Sequence, residues 1–414
     1  MKSRIRCATY FPVTIALFTC WIICAPSARA VSFFGLGFLS GSTASSASDV
    51  SLDGTTVVGR SRLASGWQAF RWSSAGGMQP LGFLTPSIPS SEALGTSADG
   101  SVVVGQVSNG RSAFDVGFRW TSASGMQSIG TLPNPGGYEY SYALSASADG
   151  SVIVGGSSSS GSGNEAFRWT LVGGIQGLGR FPGVTNATNG TATGISADGT
   201  VIVGAATANQ TTARYHAFRW TLGTGLQDLG LLPGGIGSSS AWAISADGTV
   251  IVGDSSSANG QRAFRWTATE GMQALDDVPG FPNYFFLPQS VSGNGSLIVG
   301  YIGGGSATTS TALIWDAVHG TRKLQDALNS DYGLDLTGWH LGLATGVSDD
   351  GRTIVGTGID PSGRTQAWIV TIPEPSALTL VLLGSVLLGF QQSLRRWRER
   401  YRQDICEAPL QSTV

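Results

Sequence analysis

Ser147-Ala148-Asp149-Gly150-Ser151-Val152-Ile153-Val154-Gly155 is one of seven near-copies of the same nine-residue stretch. The others begin at Ser51, Ser97, Ser196, Ser245, Ser292 and Ser348, at steps of 46 to 56 residues. A repeat of that length is one supersecondary unit that cannot bury its apolar face alone and must stack on its neighbours. Around the quoted stretch, Ala143-Leu144-Ser145-Ala146 reads as a short strand. Asp149-Gly150 reads as a two-residue hairpin turn, and Val152-Ile153-Val154-Gly155 as the returning strand. After a Gly/Ser loop over 156–163, Ala166-Phe167-Arg168-Trp169-Thr170 is a third β-rich run. Gly173-Gly174 turns the chain into a fourth, Ile175-Gln176-Gly177-Leu178-Gly179. Four short antiparallel strands per repeat predict a propeller blade, and seven copies predict a seven-bladed all-β propeller.

The third strand recurs as Phe70-Arg71-Trp72, Phe118-Arg119-Trp120, Phe167-Arg168-Trp169, Phe218-Arg219-Trp220 and Phe264-Arg265-Trp266. Phe and Trp two residues apart share one strand face, and the Arg between them takes the other. Between stacked blades that Arg should be enclosed and needs a partner. The five copies with this Arg carry Asp53, Asp99, Asp149, Asp198 and Asp247 in the hairpin. In the sixth copy Asn294 and Ile314 replace the Asp and the Arg together. The expectation is a ring of contacts pairing these aspartates with Arg71, Arg119, Arg168, Arg219 and Arg265. The seventh copy breaks the pattern, because Asp350 stays although Ile369 replaces the Arg.

The seventh unit has text for three strands. Upstream of the first unit, Leu36-Gly37-Phe38-Leu39 matches Leu81-Gly82-Phe83-Leu84, which ends a fourth strand. The N-terminal segment is therefore expected to supply the missing strand and close the ring, an exchange that an open solenoid does not need.

Sixty glycines and a charged content of 12% would suit disorder, but 12 Trp and 17 Phe placed in register do not. Residues 31–372 hold 15 basic and 22 acidic groups, with Lys323 the one lysine, which excludes a phosphate-backbone binder such as a nucleic-acid protein. The four cysteines, Cys7, Cys20, Cys24 and Cys406, lie outside the repeats, so the body has no disulfide and no thiolate metal site.

Both ends read as addresses. Lys2, Arg4 and Arg6 precede an apolar run over 11–24 and then Ala28-Arg29-Ala30, the pattern of a signal peptide over 1–30 cleaved before Val31. At the other end Pro373-Glu374-Pro375 precedes an apolar run over 377–390 and an Arg cluster that includes Arg395 and Arg396. That order predicts a transmembrane helix held by a cytoplasmic basic end, followed by a tail over 401–414.

The order Pro-Glu-Pro, apolar helix, Arg cluster over 372–400 resembles the PEP-CTERM sorting signal of Gram-negative bacteria. The resemblance implies a membrane exosortase as processing partner, an inner-membrane intermediate, and then release to the cell surface or an extracellular polysaccharide matrix. The tail over 401–414 departs from that family, whose signals stop soon after the basic cluster. The repeats over 45–371 resemble the HAF-type extracellular repeat family, whose triplet stands here as His216-Ala217-Phe218. That family brings no catalytic residues to this chain.

The expected organisation is thus a signal peptide, a propeller over 31–371, a sorting signal over 372–400 and a tail. His216, His319 and His340 lie in different units without metal spacing, and His216 is read as flanking a turn. Each hairpin offers one carboxylate, whereas calcium needs six to eight oxygens. No catalytic, metal or cofactor residues are assigned. The expected function is a non-enzymatic, exported repeat protein that binds glycan or protein, with extracellular polysaccharide a candidate partner. A polysaccharide hydrolase or lyase is the alternative. Tyr284, Phe285, Phe286, Tyr301, His319, Tyr332, Trp339 and His340 cluster in units six and seven, where they either stack on sugar or fill a wide gap between blades.

Overall fold

The computed structural model of the chain describes residues 31–372 apart from 86–89, 109–114, 136, 161–162, 185–188, 210–213, 279 and 282–283. The expected signal peptide, sorting signal and tail lie outside the described residues, and with them Pro373, Glu374, Pro375, Arg395, Arg396 and the expected membrane helix. Among the described residues no helix is long and apolar enough to cross a membrane.

Seven four-stranded antiparallel sheets form the blades of the propeller. Numbered with the motif copies, blade three consists of Ser141–Ala146, Val152–Ser159, Gly163–Thr170 and Gly174–Gly177. Blade seven takes His340–Val347, Thr353–Ile359 and Thr365–Thr371 from one end of the described chain and Ser32–Gly35 from the other. Ser32 lies opposite Thr371 and Gly35 opposite Trp368, so the N-terminal strand closes the ring as expected. Leu36 N–H then donates to Ala367 O at 2.8 Å, as Leu81 N–H does to Ala69 O at 2.9 Å in blade one.

The core is a ring of clusters rather than one centre. Val58 and Ala69 of blade one, for example, meet Ala93, Val103 and Phe118 of blade two. The third-strand Phe is fully buried in five blades, as Phe70, Phe118, Phe167, Phe218 and Phe264. Leu313 and Trp368 take its place in blades six and seven, also fully buried. Each innermost strand carries a β-bulge opposite the motif's last glycine. There the inner-strand carbonyl sits where a side chain would start: a β-carbon on Gly155 would overlap Tyr142 O and crowd Phe167. That glycine answers a close backbone approach, not a turn.

The hairpins are wider than the two-residue turns expected. In blade one the strands end at Val50 and resume at Thr56. Ser51 N–H donates to Thr56 O at 2.8 Å, and Gly54 N–H to Ser51 O at 2.8 Å. Gly54 adopts φ +72°, which suits glycine. The extra width comes from the serine: its hydroxyl accepts from Thr56 N–H at 2.9 Å and donates to Asp53 Oδ1 at 2.5 Å.

Neighbouring loop tips also bond to each other. Asp53 N–H donates to Ala98 O at 3.1 Å, while Ala98 donates to Ala148, Ala148 to Ala197, and Ala197 to Ala246, each at 2.9 Å. Gly293 N–H to Asp349 O and Asp349 N–H to Leu52 O, both 2.9 Å, join blade six to blade seven and blade seven to blade one in the same way. In five of the seven copies the residue after the motif serine is small, Ala98, Ala148, Ala197, Ala246 or Gly293, which lets the tips approach; Leu52 and Asp349 stand there in the other two. At Gly293 a β-carbon would coincide with the Asp349 carboxylate.

One element departs from the all-strand expectation. The helix Leu324–Tyr332 stands between blades six and seven and buries Leu324, Ala327 and Leu328. These apolar residues at i, i+3 and i+4 face the cluster holding Leu336, Leu341 and Trp368. The helix stops at Gly333, whose φ is +66°. It accounts for the longest step between motif copies.

Candidate functional site

The repeated polar residues build scaffold. Ser147 donates to Asp149 Oδ1 at 2.7 Å while accepting from Val152 N–H at 3.0 Å, and Ser151 N–H donates to the same carboxylate oxygen at 2.9 Å. These bonds hold the Asp149 and Asp198 carboxyls below the usual range, through Ser147 and Ser196 first. Asp99 is lowered chiefly by the Ser101 amide. Burial opposes the shift at Asp247, but bonds from Ser245 and Thr249 outweigh it. Asn294 fills the role in blade six by accepting from Ser292 Oγ at 3.0 Å, so the loop works with a neutral acceptor.

The expected Arg–Asp ring is not among the ion pairs of the described residues. Arg71 donates instead to Gly100 O in the next blade's loop at 2.9 Å and to Thr56 Oγ1 at 3.1 Å. Arg265 lies 3.4 Å from Glu270, and Arg219 Nη1 is 3.5 Å from Gln227 Oε1. Arg119 and Arg168, like these, are half-buried. The physical reason is that the loop's own serine and amides already occupy the carboxylate, so the guanidinium turns to other acceptors: a backbone carbonyl for Arg71, the Gln227 amide for Arg219 and the Glu270 carboxylate for Arg265. Nothing in these contacts explains why Asp and Arg are lost together in the sixth copy.

The innermost strands surround an axial channel of about 410 Å³. The seven bulged residues on its wall are Ser48, Leu94, Leu144, Thr193, Trp242, Gln289 and Thr345. One of them is aromatic. The next position holds Asp49, against Gly95, Ser145, Gly194, Ala243, Ser290 and Gly346 in the other blades. Asp49 accepts from Val50 N–H at 2.8 Å and, across to blade two, from Thr96 N–H at 3.1 Å. Ser290 makes the matching inter-blade bond from Val347 N–H at 3.2 Å.

Burial pushes the Asp49 carboxyl up to about 7 against the pull of the two amides. The folded value lies above the free one, so the folded chain holds a proton that the unfolded chain releases. Stability should therefore fall as pH rises from about 4 to about 7. The penalty above that window is on the order of 4 kcal/mol, at about 1.36 kcal/mol per unit. Relative to Asp49→Asn, the wild-type melting temperature should drop between about pH 4 and pH 7. A difference between the two that does not change with pH would contradict this.

At the channel end away from the Ser-x-Asp-Gly loops, a second cavity of about 400 Å³ shares Leu144, Thr193 and Trp242 with the channel. Trp242 is 38% exposed, and its indole N–H donates to Asp254, which also accepts from the Gln261 amide. Asp254 is buried, and burial raises its carboxyl above the usual range against these two bonds. Across the cavity, Asn189 Nδ2 donates to Tyr215 Oη at 3.1 Å, and Asn164 N–H donates to Asn189 Oδ1 at 3.0 Å. The Asn164 amide meets Thr191 Oγ1 at 3.0 Å and Tyr142 Oη at 2.6 Å. The wall thus offers one fixed indole face and a run of amides and hydroxyls, and among the described residues no charged side chain lines it. The ion pair Arg60–Glu92, 3.0 Å long, belongs to blades one and two and is not part of this wall.

Most of the aromatic residues of units six and seven fill space, while Tyr284 stands 59% exposed. Phe286 is 2% exposed, and Trp339 meets Phe33 edge-on with ring centroids 5.1 Å apart. Tyr332 packs on the helix cluster, and His340 Nε2 lies 2.9 Å from Ser310 O. His319 lies 3.0 Å from Asp316. His216 sits within the strand Arg214–Thr221, not beside a turn, and its Nδ1 is 2.8 Å from Asp228. No three His, Cys, Asp or Glu side chains gather as a metal site among the described residues. The residues that sequence reasoning missed are Trp242, Asn164, Asn189, Tyr215, Asp254 and Asp49. Trp242 had a visible signal: it stands three residues before the motif serine, where the other copies have Ser48, Leu94, Leu144, Thr193, Gln289 and Thr345.

Fold and site together define a seven-bladed β-propeller whose axial channel adjoins an uncharged, aromatic cavity at one mouth. No family model matches the chain, and no curated protein does. Solved propellers do. The oligogalacturonate lyase of Vibrio parahaemolyticus superposes with a TM-score of 0.52 at 12% identity, over 83% of this chain and 98% of its own. An oligogalacturonate lyase in complex with manganese gives 0.50 at 12% identity, over 83% and 97%. TolB from Acinetobacter baumannii gives 0.44 at 12% identity, over 65% of this chain and 63% of its own. The chain thus spans less than two thirds of that TolB. At these identities the likeness is one of fold.

Proposed function

We propose that this chain is an exported, surface- or matrix-associated propeller that binds a ligand at one channel mouth without transforming it. The observation that carries the reading is the asymmetric cavity at Trp242 in an otherwise repetitive ring. Its wall offers hydrogen-bonding amides and hydroxyls around an indole face, the make-up of a recognition site. Among the described residues it holds no nucleophile paired with a base and no carboxylate pair facing across it, as glycoside hydrolysis needs. The export part rests on the resemblance of the two ends to a signal peptide and a PEP-CTERM signal, and on the HAF-like repeats between them.

Two experiments test the reading. Mass spectrometry of surface material from producing cells should find chains that begin near Val31 and lack residues 395–414. Intact tails there would contradict sorting. The purified full chain, incubated with oligo- and polysaccharides, should bind without creating reducing ends or unsaturated products. Turnover would move the reading to the hydrolase or lyase alternative.

A further inference from the structure

We infer that the cavity between blades three, four and five takes a neutral sugar unit, stacked on Trp242 and hydrogen-bonded by Asn189 and Tyr215. The inference rests on the binding reading above and names its ligand class.

The indole is held from behind. Its N–H is bound to Asp254, and Gln261 fixes that carboxylate in turn, so the ring plane is preset while more than a third of the residue stays exposed. A preset aromatic plane suits the C–H face of a pyranose and loses little side-chain entropy on binding. Opposite it, Asn189 and Tyr215 carry both donors and acceptors, as sugar hydroxyls do.

Charge selects the class. Among the described residues no Lys or Arg lines the cavity, so a uronate would find no counter-charge there, and Asp254 behind the indole would repel it. A cavity of about 400 Å³ suits one or two rings. A protein partner would need on the order of 800 Å² of surface on this side.

The test is calorimetric titration of the full chain with neutral hexose oligosaccharides, uronate oligosaccharides and their soluble polymers. Neutral ligands should bind in preference to uronates. Trp242→Ala should weaken them by about tenfold or more, the scale of one aromatic contact. Tyr215→Phe removes a single hydroxyl, and should weaken binding severalfold at unchanged melting temperature. Preference for uronates, no binding of any neutral sugar, or neutral binding unaffected by both substitutions would overturn the inference and leave the binding reading standing on its own test. Turnover of a neutral glycan that both substitutions reduce would keep the inference and overturn the non-catalytic reading.

Discussion

Deleting residues 31–39 is expected to cost several kcal/mol of folding stability, comparable to that of an ordinary domain at about 5–15 kcal/mol. The segment is the outer strand of the last blade and the clasp onto the first. Ser32–Gly35 pairs along Thr365–Thr371, and Phe33 lies between Trp339 and Trp368, with centroid distances of 5.1 and 6.0 Å. Leu36 and Leu39 are 7% and 6% exposed in the cluster that joins blades seven and one. Losing three such side chains removes about 1.5–3 kcal/mol each. The deletion also bares a strand edge and strips the Ser45 hydroxyl of its acceptor, Gly37 O at 2.7 Å. Denaturant unfolding of the deleted and intact chains measures the loss. Equal midpoints would mean that the ring does not depend on its clasp.

Gly356→Ala should be the most damaging single methyl in the propeller. The added carbon would overlap Leu343 O and press into the Trp368 ring, which is fully buried and has no room to withdraw. Overpacking in a close-packed interior costs about 1–3 kcal/mol, and more where the obstacle is backbone. Gly223→Ala is the control, since a β-carbon there meets nothing within 4 Å, and its effect should stay within about 0.5 kcal/mol. Thermal unfolding compares the two. Similar losses would show that the inner-strand bulge yields easily and is not the reason for the glycine.

How much of this was legible follows from what repetition can encode. The blade count, the third strand with its buried Phe and the N-terminal closure were readable, because each is written several times or is missing from one copy. Loop width was not. Asp-Gly signals a turn, but the Ser hydroxyl bridging Asp149 and Val152 N–H sets its size. The partner of the strand Arg was not, since it depends on the curvature that brings Gly100 O to Arg71. The helix Leu324–Tyr332 had a cue in its apolar spacing and in the longest step. The cavity was legible in principle at one position, Trp242, where the aligned copies disagree. Its other members meet through strand starts of separate blades, which no local pattern joins. The many aromatic residues of units six and seven drew attention by number, yet number there reflects the helix and the wide gap they fill.

The repeated motif carries the stability of the ring, and we propose that the broken symmetry at Trp242 carries recognition. Titration of one neutral oligosaccharide into wild type, Trp242→Ala and Ser147→Ala, with melting curves alongside, tests it most directly. Ser147→Ala strands the buried Val152 N–H and should lower stability by about 1–3 kcal/mol, with affinity unchanged for the folded protein. Trp242→Ala strips the buried Asp254 carboxylate of one of its two donors and should lower the melting temperature as well, but unlike Ser147→Ala it should remove most of the affinity of the folded protein. Lost affinity in Ser147→Ala together with full affinity in Trp242→Ala would contradict the account.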